Sequence, residues 1–262
     1  MNRAGEREDG MTLNRFGYEW STFREIDPLY EIQFKAWTAP IPTAEWKSKR
    51  VLDAGCCTGR NSLWPLKYGA VSVVAFDVDP RTVEVARTNL SGYPQCEVRQ
   101  CSIYEIPWEN EFDITFSIGV IHHLADPKKA VRQLIKATKR GGLILIWVYG
   151  REGQTIVKSV VNLIRRVTCR LPPALLNVLV RPVSLAAWAV LRLILFRQPY
   201  LSQFKRARYW HVHSIIFDQL LPEIANYWTR EEAMALFEGC EVSDVRAEWV
   251  NGVSWTVWAK KR

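Results

Sequence analysis

The sequence predicts an α/β fold: a doubly wound, mostly parallel seven-stranded sheet with helices on both faces. A helical insertion follows the fifth strand, and a C-terminal hairpin supplies an antiparallel strand. Three observations predict it. Short apolar runs alternate with helical segments five times between Lys49 and Val148. Two of those helices open with Asp-Pro, at Asp79-Pro80 and Asp126-Pro127, an N-cap followed by a proline at the first helical position. Near the C-terminus, Glu241 to Val250 and Val253 to Lys260 flank Asn251-Gly252, a hairpin turn signal.

In chain order, residues 1–12 are polar and expected to fray. The stretch from Phe16 to Trp46 is rich in aromatics, and Glu25 to Trp37 can be helical until Pro40 and Pro42 stop it. Residues 1–48 read as an N-terminal helical cap. Two readings stay open for it: a helix packed on the core, or a cover over a substrate, with Tyr18 and Trp20 facing that substrate. The core occupies 49–150. Lys49 to Asp53 is the first strand, and a helix from Asn61 to Tyr68 ends at Gly69. Val71 to Phe76 is a continuous apolar run, as a buried parallel strand requires. A helix follows from Pro80 to Leu90. Cys96 to Gln100 and Phe112 to Ile118 are strands, a helix runs to about Lys139, Gly141-Gly142 ends it, and Leu143 to Val148 is the fifth strand.

Residues 151–228 interrupt this rhythm. Gln154 to Arg170 and Ala174 to Phe196 read as apolar helices, the second broken at Arg181-Pro182 and Arg192. No uncharged run there reaches the ~20 residues that span a bilayer. A lid over an apolar substrate, an amphipathic element on a membrane surface, and a helical insertion packed on the sheet all fit. Thr229-Arg-Glu-Glu232 is a capping box, so 229–262 complete the core with a helix and the hairpin.

Composition narrows the classes. The chain has 262 residues, 48% of them hydrophobic, and a formal charge of +8. The charge is local: about eleven Lys or Arg and a single acid, Glu152, lie between Arg151 and Trp210. One basic region with its own partner follows, not a uniformly basic protein. Its basic residues alternate with long aliphatics and not with a polar stacking groove. That disfavours nucleic acid and suits an anionic membrane surface or a lipid pyrophosphate. The six cysteines show no C-x-x-C pair and no zinc spacing, and no metal site is expected. They read as reduced thiols in an intracellular, cytoplasmic setting with an optional peripheral membrane contact; no apolar run marks an N-terminal signal. Nothing in the sequence sets the oligomeric state.

The chemistry centres on Val51-Leu-Asp-Ala-Gly-Cys-Cys-Thr-Gly-Arg60: a strand, a glycine-spaced turn at Gly55 and Gly59, and a helix start. Such a turn offers free amides to a polar ligand. The glycine spacing is poor for a dinucleotide fingerprint, and no Gly-Lys-Ser/Thr makes it a P-loop. Asp53, Gly55 and Gly59 instead match the first motif of the class I S-adenosylmethionine (SAM) methyltransferases, which the segment resembles; Cys57 stands where their middle glycine is usual. If that position needs positive φ, cysteine costs about 1–2 kcal/mol; if it needs close approach, the thiol crowds the ligand.

The resemblance extends downstream. It implies that Asp77 binds the cofactor ribose, that Val78 packs on adenine, and that Ser102 and the Ile103 amide meet its polar edge. Ser117-Ile-Gly-Val-Ile-His-His-Leu124 resembles the segment after strand four in small-molecule methyltransferases, including those of ubiquinone and menaquinone biosynthesis. It places Ser117 beside the cofactor and His122 and His123 near the methyl group. An imidazole pKa near 6.5 suits a general base. Tyr149 and His211 join Tyr18 and Trp20 as candidate substrate contacts. The absence of an Asn/Asp-Pro-Pro-Tyr/Phe segment argues against amino methylation of nucleobases. The expected function is therefore methyl transfer from SAM to oxygen, nitrogen or carbon of a small or amphipathic acceptor, lipid-linked in one version. A non-catalytic scaffold of the same fold and an RNA methyltransferase remain the alternatives.

Overall fold

The computed structural model describes residues 14–153, 155–193 and 207–262. The expectations for residues 1–12, for Gln154 and for residues 194–196 lie outside them. The sheet has the order β3-β2-β1-β4-β5-β7-β6, with β1 (Arg50–Ala54), β2 (Ser72–Asp77), β3 (Cys96–Gln100), β4 (Phe112–Ile118) and β5 (Thr138–Tyr149) parallel. β7 (Ser254–Lys261) runs antiparallel between β5 and β6 (Val242–Val250). This is the fold class expected from the sequence. Asn251 and Gly252 both have positive φ, the geometry of a type I′ hairpin turn.

Alternation along the strands feeds two cores. Leu52, Ala54, Val74, Phe76, Ile144 and Ile146 face α5 (Pro127–Ala137) and the helix α9 (Arg230–Met234). Val51, Val73, Phe116, Leu145 and Trp147 face the other way, against α2 (Leu29–Trp37) and α3 (Leu63–Lys67). The caps act where the sequence places them. Asp79 accepts from Arg81 N–H at the start of α4 (Pro80–Leu90), Asp126 accepts from Lys129 N–H, and Thr229 and Glu232 form the reciprocal capping box.

Several boundaries differ from expectation, among them the start of α2, at Leu29 instead of Glu25. α3 is shorter because residues 56–62 are spent on turns, with Gly59 N–H bonded to the Cys56 carbonyl. β5 starts at Thr138, and Gly141, at φ 75°, takes up the register shift against β4 inside the strand instead of ending the preceding helix. In the insertion, α7 (Pro173–Leu193) continues through Pro182. Val178 and Pro182 both lie on the exposed side, so the carbonyl freed by the missing N–H can reach water.

The insertion folds as α6 (Thr155–Thr168), α7 and α8 (Tyr209–Leu220), and returns to the point it left. Trp228 N–H bonds to the Tyr149 carbonyl, and Arg151 N–H bonds to that of Trp228. An N-terminal helix, α1 (14–22), bridges core and insertion. The buried Arg15 donates to the carbonyls of Thr168, Leu171 and Leu221, which are orphan acceptors at the ends of α6 and α8. On the core side, Arg81 donates to the Asn14 carbonyl and side chain. Gly17 lies against Asp79 and Arg81 so closely that a Cβ there would overlap both. Gly17→Val should therefore lift α1 off the core. Limited proteolysis is expected to cut the N-terminal 30 residues faster in this variant, while the sheet keeps its thermal transition.

Candidate active site

Strand order reverses between β1 and β4, and the loops after these two strands diverge there. A cavity of about 350 Å³ opens at this carboxyl edge. Gly55, Cys57, Asp77, Val78, Cys101 and Ile103 form one half of its wall. Trp147, Tyr149, Tyr227 and His123 form the other, and Phe16, Gly17 and Trp20 of α1 with Ser214, Ile215 and Asp218 of α8 close it.

Asp77 organises the first half. Its carboxylate accepts from the Cys57 N–H at 3.0 Å and from the Asp79 N–H at 3.1 Å. Burial raises its pKa, against the pull of those two bonds. Gly55 and Gly59 both adopt φ 80°, where only glycine is relaxed, and so need to be glycine for backbone reasons. Cys57 itself sits at φ 49°. The conformational reading of that position applies, because a Cβ at positive φ costs backbone strain, and Cys57 also lines the cavity.

The structure brings Gly55, Cys57, Asp77, Val78, Ile103, Trp20, Tyr149 and His123 to the cavity wall. It leaves the other expected site residues off it, each for a visible reason. Asp53 is buried and accepts from Ser62 Oγ at 2.6 Å; desolvation lifts its pKa to about 7, and it holds the loop from beneath. Gly59 packs on Leu90. Ser102 turns its hydroxyl to the Tyr104 N–H, and Ser117 donates to the Ala54 carbonyl. Tyr18 packs on Phe217 and accepts from Asn177 of α7. His211 stacks on Tyr30 with centroids 4.6 Å apart.

The histidine pair is corrected in part. His122 is fully buried and lies flat against Tyr149, with ring centroids 3.7 Å apart; desolvation drives its pKa well below the ordinary imidazole value. It is a neutral packing residue. His123 does reach the cavity, beside Phe16 at 4.7 Å, but its Nδ1–H donates to the Ile224 carbonyl at 2.7 Å. Burial lowers its pKa to about 4, which makes it a weak base at neutral pH.

Sequence reasoning missed three residues here. Arg60 lines the cavity between the rings of Trp20 and Tyr30, 4.5 and 4.9 Å from their centroids, and forms no ion pair among the described residues. Glu19, on α1, is fully buried with both carboxylate oxygens unpartnered, and its pKa is raised by burial and by Asp218, against the opposing pull of Arg60. Asp218 is a half-buried carboxylate on the wall itself, with a pKa raised by desolvation; Tyr149 Oη approaches it at 3.4 Å, and Gln219 donates to Tyr149 Oη at 2.9 Å. Only Arg60 carried a signal, as the last residue of the glycine motif. Nothing in the sequence linked residues 19 and 218.

Residues 52–146 match the family described as methyltransferase domain. The tRNA U34 carboxymethyltransferase of Cellvibrio japonicus is 30% identical over 152 residues, 55% of this chain and 47% of that one. Phosphoethanolamine N-methyltransferase 3 of Arabidopsis thaliana is 31% identical over 110 residues, 41% of this chain and 22% of that one. The chain thus spans less than half the length of these curated relatives. Two solved structures share the fold across most of the chain. One is a SAM-dependent methyltransferase from Aquifex aeolicus, at TM-score 0.54 and 17% identity, covering 89% of this chain and 93% of that one. The other is the magnesium protoporphyrin IX methyltransferase of Synechocystis with bound S-adenosylhomocysteine (SAH), at TM-score 0.55 and 12% identity, covering 90% and 85%. Residues 52–146 thus resemble a methyltransferase domain, and the cofactor named in the neighbours that share its fold is SAM or its product SAH.

The site residues present fit that cofactor. Asp77 has acceptor capacity beyond its two amide bonds for a ribose diol, and the unpartnered Asn61 Oδ1 and Glu19 oxygens lie in the same neighbourhood as the unpaired Arg60. Two outcomes follow. Cys57→Gly should bind SAH at least as tightly as the wild type in calorimetry, because glycine removes strain of about 1–2 kcal/mol at φ 49°. His123→Gln can still donate to Ile224. Wild-type His123 refuses a proton until about pH 4, whereas the unfolded chain accepts one near pH 6.5. Its contribution to stability is therefore whole above pH 6.5 and is lost as pH falls from there to about 4. Urea titrations should show the variant gaining on the wild type by up to about 3 kcal/mol across that window.

Proposed function

We propose that the whole chain acts as a SAM-dependent methyltransferase on a small or amphipathic acceptor held in the aromatic half of the cavity. The observation that carries this is the continuity of one cavity: a cofactor wall on the β1–β3 loops runs directly into an aromatic wall capped by the insertion. SAM supplies an electrophilic methyl group on a sulfonium, and methyl transfer needs chiefly alignment.

The residues divide the rest of the work. Asp77 and Val78 hold the nucleoside end. Arg60 binds the carboxylate of the amino-acid end; the buried Glu19, whose pKa burial raises, feels that guanidinium without pairing with it. The guanidinium is kept in place by Trp20 and Tyr30. Asp218, aligned by Tyr149 and Gln219, takes the proton from an acceptor hydroxyl or amine; its raised pKa moves a carboxylate towards the range a base needs. Asp218 replaces the histidines in this role. Trp147, Tyr149 and Tyr227 keep water from the reacting atoms. α1 of the cap and α6 and α8 of the insertion then form the two sides of a cover.

The small-molecule acceptor is supported by the likeness of Ser117–Leu124 to the quinone-type methyltransferases and by the apolar cavity wall. An RNA acceptor is the second reading, supported by the tRNA-modifying names among the relatives. A scaffold without activity would follow from the departures at Cys57 and Ser102.

The deciding experiment is calorimetric titration of the folded protein with SAM and SAH. Micromolar binding of both is expected. Absence of binding to either would sink the enzyme reading in favour of the scaffold. Arg60→Ala should weaken SAH binding by about 10- to 100-fold, the value of a charge-assisted bond of roughly 1.5–3 kcal/mol, and should leave adenosine binding unchanged.

A further inference from the structure

The outer faces of α6 and α7 do not look like the surface of a water-facing insertion. On α6, Val160, Leu163, Ile164 and Val167 follow the i, i+3, i+4, i+7 spacing and are exposed by 44–64%. On α7 the exposed apolar residues, among them Leu179 and Val183, fall on one side of the helix at 100° per residue. Together the two helices expose eleven large apolar side chains. A monomeric surface rarely carries so much in one place.

Among the described residues, nothing of this chain packs on these faces. The opposite side of α7 is already packed: Leu176 and Val180 meet Phe217 and Leu221, while Asn177 and Ser184 both bond to the ring of His213 on α8. On α6, the inward Arg165 donates to the Gln219 carbonyl. The apolar stripes are what remains after the insertion has packed.

Charge decides what covers them. Arg166, Arg181 and Arg192 are exposed on the same two helices and Arg170 on the turn between them, and among the described residues no carboxylate pairs with them. Arg181 lies over Trp210, itself 54% exposed, and Arg192 over Trp188. A second copy seated on this face by two-fold symmetry would bring the same arginines together without a compensating acid. Apolar stripes rimmed by arginine and tryptophan match a bilayer with anionic headgroups.

Among the described residues α7 is the one helix long and apolar enough to cross a bilayer. Its polar bonds to His213 hold one face on α8, so it cannot enter the hydrocarbon without tearing a packed, hydrogen-bonded contact. It lies in the interface instead.

We infer that α6 and α7 dock the protein in the plane of an anionic lipid bilayer through their outer faces. The consequence reaches the cavity. Val161 of α6 lines it, so the docking element contributes to its wall, and an acceptor with a lipid tail would arrive from the membrane side. That consequence rests on the methyltransferase reading; the docking itself does not.

The test is co-sedimentation of the full chain with vesicles of phosphatidylcholine alone and of an equal mixture with phosphatidylglycerol, at low and high salt. SAH titration of every sample reports the cofactor site separately. Binding to the mixed vesicles, weak binding to the neutral ones, and release by salt are expected. Arg166→Glu and Arg170→Glu should each weaken binding by at least about fivefold, the equivalent of ~1 kcal/mol per basic residue. Leu163→Glu/Val167→Glu should abolish it with SAH affinity unchanged. A protein that binds SAH but neither vesicle overturns the inference. So does a dimer in sedimentation velocity that the Leu163→Glu/Val167→Glu variant splits without any wild-type vesicle affinity. Expression in cells adds a third refutation: membrane retention that high salt and carbonate fail to release would make α7 a spanning helix.

Discussion

Asp77 is the constraint on which the site depends. Its side chain ties the β1 loop, through the Cys57 amide, to the start of α4, through the Asp79 amide. Asp79 caps α4 and pairs with Arg81, and Arg81 reaches the Asn14 carbonyl on α1. Arg15 then carries the connection to the ends of α6 and α8. One polar thread therefore runs from the cofactor loop to the insertion. Apart from the Asp79–Arg81 ion pair, each link is a charged group satisfied by backbone, the arrangement that makes a buried charge tolerable.

The thread explains why the cover is placed over the cavity. α1 contributes Phe16, Gly17 and Trp20 to the wall and is held at its N-terminal end by two arginines, Arg81 on Asn14 and Arg15 on the ends of the insertion helices. The aromatic stack of His122, Tyr149 and Tyr227 supports the opposite side. The Ile224 carbonyl and Asn226, on the chain returning from α8, stitch that stack to the β4 loop. On the acceptor side of the cavity Asp218 is the carboxylate on the wall, and desolvation raises its pKa.

The histidines show how far local chemistry misleads. His-His after β4 reads as a base pair of the right type in the right loop, and that loop does border the cavity. Whether an imidazole titrates near neutrality depends on what desolvates it, and here Tyr149 and the insertion do. The same loss of context hid Glu19 and Asp218, two carboxylates about two hundred residues apart that meet only when α1 and α8 pack.

The sequence by itself determined the order of strands and helices, the caps at Asp79, Asp126 and Thr229, the hairpin at Asn251-Gly252, and the glycine loop with Asp77 opposite it. All are governed by neighbours within a few residues, through backbone conformation, capping bonds and side-chain periodicity. Tertiary structure alone decided which candidates reach the cavity wall. Asp53, Ser102, Ser117 and His122 stop short of it, because each is claimed by a hydrogen bond or ring contact from elsewhere in the fold. It also decided that α7 stays whole through Pro182 and that its apolar side is left outward. Those outcomes depend on long-range packing against α8, which no local pattern in the chain encodes.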